Sequence, residues 1–208
     1  MERRPLTTRR LIGLDRSGPR PPATLPGAPL RPWTVPNAIG LARLALIPVF
    51  LVLALRSGDG RIASASIVYA VVGGSDYLDG IAARVTGQYS RFGVLLDPVT
   101  DRLLVVSGAV VCWRFELLPR WALAVLAGRE LAMLAISQAG LRRGVDVEVN
   151  WVGRAAVWPT MFSLFLAMVS VTWVADALLY LGLALSIVAS VLYVRDGLAR
   201  LRPPSSSA

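Results

Sequence analysis

Ser75-Asp76-Tyr77-Leu78-Asp79-Gly80-Ile81-Ala82-Ala83-Arg84, then eight further residues, then Gly93-Val94-Leu95-Leu96-Asp97-Pro98-Val99-Thr100-Asp101, is the stretch that decides the reading of this chain. It sets four carboxylates, Asp76, Asp79, Asp97 and Asp101, inside sequence otherwise apolar enough for a bilayer. One aspartate at the centre of a spanning helix costs roughly 2.5–3.5 kcal/mol on insertion scales. Four facing lipid would cost on the order of 10–14 kcal/mol, comparable to the whole stability of a domain. The four must therefore face a polar cavity and meet positive charge there, which marks them as a functional site.

The spacing says how they meet. Asp76 and Asp79 are three residues apart, and Asp97 and Asp101 four apart, so on helices each pair shares one face. Gly80 and Gly93 thin those same faces and admit a ligand or a neighbouring backbone. Ala83 continues the small face, and Arg84 adds a fixed cation one turn on. Four acidic groups cannot all stay ionised at close range without countercharge. One or two divalent cations supply it, and oxygen-only ligands suit magnesium or manganese. Carboxylate-clamped metals serve displacement at phosphorus, with one aspartate oxygen left to take a proton from an attacking hydroxyl. Two blander readings stand beside this one: ion pairs with Arg84, Arg102, Arg129 or Arg154 that only stabilise packing, or a pathway for ions or protons.

Working outward, the chain has 208 residues, 55% of them hydrophobic and 17% charged, which predicts an all-α polytopic membrane protein of one domain. The formal net charge is +9 and all 22 basic residues are arginine. No nucleic-acid motif or aromatic-basic stripe accompanies them, so nucleic acid is excluded as a partner and the excess is assigned to membrane lipid and topology. The lone Cys112 excludes an internal disulfide and a zinc cluster. Histidine is absent, which leaves acid–base chemistry to carboxylates.

Residues 1–32 read as a basic, flexible cytoplasmic tail, 33–202 as the transmembrane domain and 203–208 as a frayed, serine-rich end. Six spans are expected at roughly 36–55, 63–84, 93–113, 117–138, 152–173 and 176–197, around a polar cavity open to the cytoplasm. With the N-terminus cytoplasmic, that side receives seven tail arginines plus Arg84, Arg91, Arg142, Arg143, Arg195, Arg200 and Arg202. The opposite side receives Arg56, Arg61, Arg114 and Arg120. The positive-inside rule then puts both termini and the four aspartates at the cytoplasmic face. Trp33, Trp113, Trp121, Trp151 and Trp173 fall near span ends and are read as interfacial anchors.

At the quoted residues the chain resembles the CDP-alcohol phosphatidyltransferase family, whose signature is D-x-x-D-G-x-x-A-R, eight residues, G-x-x-x-D-x-x-x-D. Asp76, Asp79, Gly80, Ala83, Arg84, Gly93, Asp97 and Asp101 match it without a gap. The resemblance extends from Val35-Pro36-Asn37 through Gly128-Arg129-Glu130 to Asn150-Trp151-Val152-Gly153-Arg154 and leaves out the tail. It implies a six-helix, usually dimeric enzyme of a bacterial inner membrane with two divalent cations, Mg2+ or Mn2+. Asp76, Asp79, Asp97 and Asp101 would be metal ligands, with Asp101 also the general base. Asn37, Gly80, Ala83, Arg84 and Ser90 would form the CDP-diacylglycerol site. An acceptor hydroxyl would attack the lipid-side phosphorus, and CMP would leave.

The Pro36-Asn37 opening, Leu96-Asp97-Pro98 and Gly128-Arg129-Glu130 are similar to the phosphatidylglycerophosphate synthase and cardiolipin synthase branches. Ser137 stands where the former commonly carry a second arginine, and Ala155-Ala156 follow Arg154 where they carry a further cation. A glycerol 3-phosphate dianion calls for clustered cations. A site with Arg129 and Arg154 as acceptor ligands suits a singly charged diester, so the preferred acceptor is phosphatidylglycerol, as in CMP-forming actinobacterial cardiolipin synthases. Glycerol 3-phosphate is the alternative acceptor, and an ion or proton transporter the remote one. The missing histidine excludes a phospholipase-D-type route through a histidine nucleophile.

Overall fold

Helix ends follow the capping residues. In a computed structural model, which describes the backbone of 21–25, 27–142 and 151–201 and the side chains of 21–25, 27–136 and 155–195, a single 3-10 turn, Pro22–Thr24, precedes six α-helices. They are α1 Val35–Arg56, α2 Ala63–Thr86, α3 Arg91–Arg114, α4 Arg120–Arg142, α5 Trp151–Val169 and α6 Trp173–Leu201. No strand occurs among the described residues. The chain is all-α, as expected.

Five boundaries differ from expectation by three or four residues, and two of them have clear local reasons. The fourth helix starts at Arg120 because Glu116, at φ +56°, closes the end of α3 in a turn where Leu117 N–H donates to Cys112 O at 2.9 Å. The fifth ends at Val169 because Thr172 caps the next helix: its hydroxyl accepts the Val174 N–H at 3.3 Å, and Asp176 stands in the first turn of α6.

The chain divides into two compact units, Met1–Val52 with Ile67–Leu104, and Leu53–Ser66 with Val105–Ala208. Their boundaries fall inside α1, α2 and α3. In the first unit Phe50, Tyr69, Val72 and Leu104 are buried, and the Phe50 and Tyr69 rings pack with centroids 5.1 Å apart. Polar groups share this core: Arg43, Asn37, Asp79, Ser90 and Thr100 are all buried.

The second unit is packed on α5 and α6. A side chain at Gly182 would collide with Thr160, so glycine lets these two backbones approach closely. Ser163 Oγ donates to Ala175 O at 2.7 Å. Arg61 Nε donates to Ala167 O at 3.2 Å and Ser66 Oγ to Met168 O at 3.4 Å, which satisfies carbonyls at the C-terminal end of α5.

Val35–Arg56 and Trp173–Arg195 are long and apolar enough to cross a membrane. Only 28% of each apolar window is buried, so these are not core helices of a soluble domain; Val49, Val52, Leu181, Ile187, Val188 and Val191 face outward. The chain is a membrane protein. In α2 and α3 the carboxylates and arginines dilute the apolar content, and the described apolar part of α5 is only Ala155–Val169.

Candidate active site

The turn between α2 and α3 builds one wall of the site. Gly87, at φ +66°, supplies the left-handed residue after α2, and Thr86 Oγ1 donates to Ala82 O at 2.6 Å. Ser90 is the N-cap of α3: its hydroxyl accepts the Gly93 N–H at 3.0 Å. The start of α1 is finished in the same way, with Thr34 Oγ1 accepting the Asn37 N–H at 3.3 Å.

These two helix starts also cap each other. Gln88 Oε1 accepts the Val35 N–H at 2.9 Å, and Leu30 O accepts the Phe92 N–H at 3.2 Å. Asn37 locks the pair: its Nδ2 donates to Arg31 O at 3.0 Å and Pro32 O at 2.9 Å, while its Oδ1 accepts from Ser90 Oγ at 2.9 Å. Gly93 is required by this knot, because a Cβ there would lie 2.7 Å from Asn37 Oδ1. Gly40 does comparable work one turn further along α1, where a Cβ would lie 3.0 Å from Leu96 Cδ2 and 3.9 Å from Asp97 Oδ1.

A cavity of about 90 Å³ opens beside the knot, lined by Thr24, Pro36, Asn37, Asp79, Gly80, Ala83, Gln88, Tyr89, Ser90, Gly93, Val94 and Asp97. Four of the five residues expected at the CDP-diacylglycerol site, Asn37, Gly80, Ala83 and Ser90, line it together with two of the four aspartates. The positive ends of α1 and α3 flank it, alongside the carboxylates of Asp79 and Asp97. The fifth residue, Arg84, is not among its walls; its guanidinium folds over Gly80, where an added Cβ would stand 3.4 Å from both Nη atoms.

Asp76, Asp79 and Asp101 converge on a residue that the sequence reading did not single out. Arg43 of α1 is 1% exposed. Its Nη1 donates to Asp76 Oδ1 and Asp79 Oδ2, each at 3.0 Å, and its Nη2 to Asp101 Oδ1 at 2.8 Å. Its Nε donates to Val72 O at 3.1 Å, one turn before Asp76. Three of the four aspartates therefore do meet positive charge, supplied by Arg43. The signal was present: Arg43 is the one charge inside Val35–Arg56 before its last residue, and a charged side chain within an apolar helix demands a partner.

The donor set fits a hard divalent cation in its chemistry: carboxylate oxygens from two helices, already gathered around a positive group. Among the described residues no three acidic side chains enclose a single point as an ion would require, because a planar fork spreads Asp76, Asp79 and Asp101 over two nitrogens. Asp97 stands outside the fork and faces the cavity.

Arg129, expected at the acceptor, belongs to the second unit, where its Nε donates to Ser190 Oγ at 2.8 Å and its Nη1 pairs with the buried Glu130. The side chains of Arg154 and Ser137 lie outside the described residues.

The family model of CDP-alcohol phosphatidyltransferases matches residues 33–188. The chain is 41% identical over 171 residues to the CMP-forming cardiolipin synthase of Streptomyces coelicolor, covering 78% of this chain and 79% of that one. It is 31% identical over 138 residues to the CDP-diacylglycerol–glycerol-3-phosphate 3-phosphatidyltransferase of Bacillus subtilis, covering 61% and 72%. The Shigella flexneri protein of that name is 31% identical over 169 residues, covering 77% and 88%.

Proposed function

Since the chain belongs to the CDP-alcohol phosphatidyltransferase family, we propose that this membrane enzyme transfers the phosphatidyl group of CDP-diacylglycerol to phosphatidylglycerol, forming cardiolipin and releasing CMP. The observation that carries the reading is the meeting of the signature residues Asp79, Gly80, Ala83, Gly93 and Asp97 on one cavity flanked by two helix N-termini. A nucleotide pyrophosphate would meet the positive ends of two helices there, with divalent cations offsetting the Asp79 and Asp97 carboxylates.

In this reading Asp76, Asp79, Asp97 and Asp101 hold two divalent cations, Mg2+ or Mn2+, which when bound neutralise the pyrophosphate oxygens. Asp101 takes the proton of the acceptor hydroxyl as the new O–P bond forms, and the bond from phosphorus to the CMP oxygen breaks. Asn37 and Ser90 serve by building the cavity wall, since both amide hydrogens of Asn37 are already donated to backbone carbonyls. Gly80 and Ala83 leave room for the nucleotide, and Arg84 lies beside Gly80 as a cation for its phosphates.

Arg129 and Arg154 are assigned to the acceptor phosphate. The higher identity to the Streptomyces relative and the neutral residues Ser137, Ala155 and Ala156 support a singly charged phosphodiester. All six helices are taken as spans, including the four that carry charge, with both termini and the aspartates at the cytoplasmic face and the basic residues 1–32 outside the transmembrane domain. A homodimer is expected.

The test offers purified protein CDP-diacylglycerol and Mn2+ with either phosphatidylglycerol or glycerol 3-phosphate, and identifies the lipid formed. Cardiolipin from the first arm and CMP release abolished by chelator are the expected results. Phosphatidylglycerophosphate from the second arm alone would transfer the assignment to the activity named for the Bacillus relative. Ion flux without CMP release would sink the enzymatic reading.

A further inference from the structure

We infer that Arg43 is a positioning residue for the carboxylate cluster: it sets the geometry of Asp76, Asp79 and Asp101 and holds down the cluster's affinity for divalent metal. The catalytic half of this inference rests on the proposed function; the metal-binding half does not.

The fork itself is held. Nε bonds to Val72 O, a carbonyl that also accepts from Ser75 Oγ at 3.1 Å, so the guanidinium is registered against the turn of α2 that carries Asp76. Its two Nη nitrogens then divide the aspartates, Asp76 and Asp79 on one and Asp101 on the other. The group assigned as base is thereby separated from the α2 pair by a rigid planar spacer. Buried charge of this kind is tolerated only when paired, and the pairing here is threefold.

Charge gives the second argument. With all four aspartates acting as ionised ligands, the cluster and Arg43 together would carry three net negative charges. Two divalent ions convert that into one net positive charge, complementary to a pyrophosphate. Without Arg43 the same loaded site would carry one positive charge fewer, so it would hold its metals more tightly and its anionic substrate less well. A residue that only stapled helices together would not separate these two effects.

The experiment uses the full-length protein in detergent, with Mn2+ binding followed by the electron paramagnetic resonance signal of free Mn2+ in the absence of lipid substrate. Arg43→Gln should bind Mn2+ about tenfold more tightly than the parent. Its KM for CDP-diacylglycerol should rise, and its kcat should fall by about a hundredfold. Arg43→Lys keeps the charge but presents one nitrogen where three are used, so its Mn2+ affinity should stay within about threefold of the parent while kcat remains depressed.

Unchanged or weaker Mn2+ binding in Arg43→Gln would overturn the inference in favour of plain packing. Parental kcat in Arg43→Lys would overturn the geometric role, and this comparison decides the matter alone if Arg43→Gln does not fold. A parent protein that releases no CMP would defeat the proposed function instead, leaving the Mn2+ comparison to judge Arg43.

Discussion

The hydroxyl of Ser90 donates to Asn37 Oδ1 at 2.9 Å while accepting the Gly93 N–H at 3.0 Å, so one side chain both caps α3 and ties it to the start of α1. The start of α1 is tied in turn to Arg31 and Pro32 through the Asn37 amide. The cavity wall is a cooperative hydrogen-bonded unit centred on Asn37 and Ser90, both of which are buried.

Breaking the knot should therefore weaken nucleotide binding before it touches the chemical step. Asn37→Ala and Ser90→Ala are each expected to lower stability by about 1–3 kcal/mol and to raise KM for CDP-diacylglycerol more than they lower kcat. Gly93→Ala should be equally damaging, since its Cβ would lie 2.7 Å from Asn37 Oδ1. The Asn37→Ala/Gly93→Ala double variant removes the object of that clash and should be less than additive in a thermal-denaturation cycle. Strict additivity would show that the two residues do not act through each other.

Asp101→Asn separates chemistry from folding. An asparagine still offers an Oδ1 to Arg43 Nη2, which now bonds Asp101 Oδ1 at 2.8 Å, so the cluster keeps that contact. What is lost is the base and one ligand charge. CMP release should fall by about 10²–10⁴-fold with the melting temperature held or raised. Turnover near that of the parent would remove Asp101 from the proton-transfer role.

The pattern that could be read along the chain is the part whose partners are local. Asp76 with Asp79 and Asp97 with Asp101 share faces because three- and four-residue spacings do so on any helix, and the six helices followed from apolar runs between turn residues. Arg43 escaped because its three partners lie 33, 36 and 58 residues away, and nothing in local spacing encodes such a meeting. Asn37 and Ser90 line one cavity, but their mutual bond spans 53 residues and no local spacing encodes it. The end of the fifth helix was misjudged because the cap at Thr172 belongs to the next helix.

A glycine in the second unit gives a prediction about stability alone. Gly60 sits at φ +75° in the turn after α1, with its N–H donated to Ser57 Oγ at 2.8 Å. An added Cβ would lie 2.6 Å from Phe115 Cδ2 and 2.9 Å from Cγ. Gly60→Ala combines a left-handed backbone with an aromatic collision and should destabilise by about 1–3 kcal/mol. The readout is a lowered melting temperature with both KM values unchanged. No loss of stability would mean that the Phe115 ring can move aside.

Arg129 allows the acceptor assignment to be probed without deleting the charge. Its Nε donates to Ser190 Oγ at 2.8 Å, and that hydroxyl donates onward to Ser186 O at 2.8 Å, so Ser190 fixes the orientation of the guanidinium. Ser190→Ala removes the acceptor for Nε and leaves the pairing with Glu130 in place. If Arg129 binds the acceptor phosphate, loosening it should raise KM for phosphatidylglycerol about fivefold, the equivalent of one hydrogen bond near 1 kcal/mol, and leave KM for CDP-diacylglycerol as it was. Arg129→Gln should extend the same asymmetry further, because it also removes the charge. Equal shifts in both KM values, or a fall in kcat alone, would assign Arg129 to the support of the helix pair and return the acceptor site to Arg154.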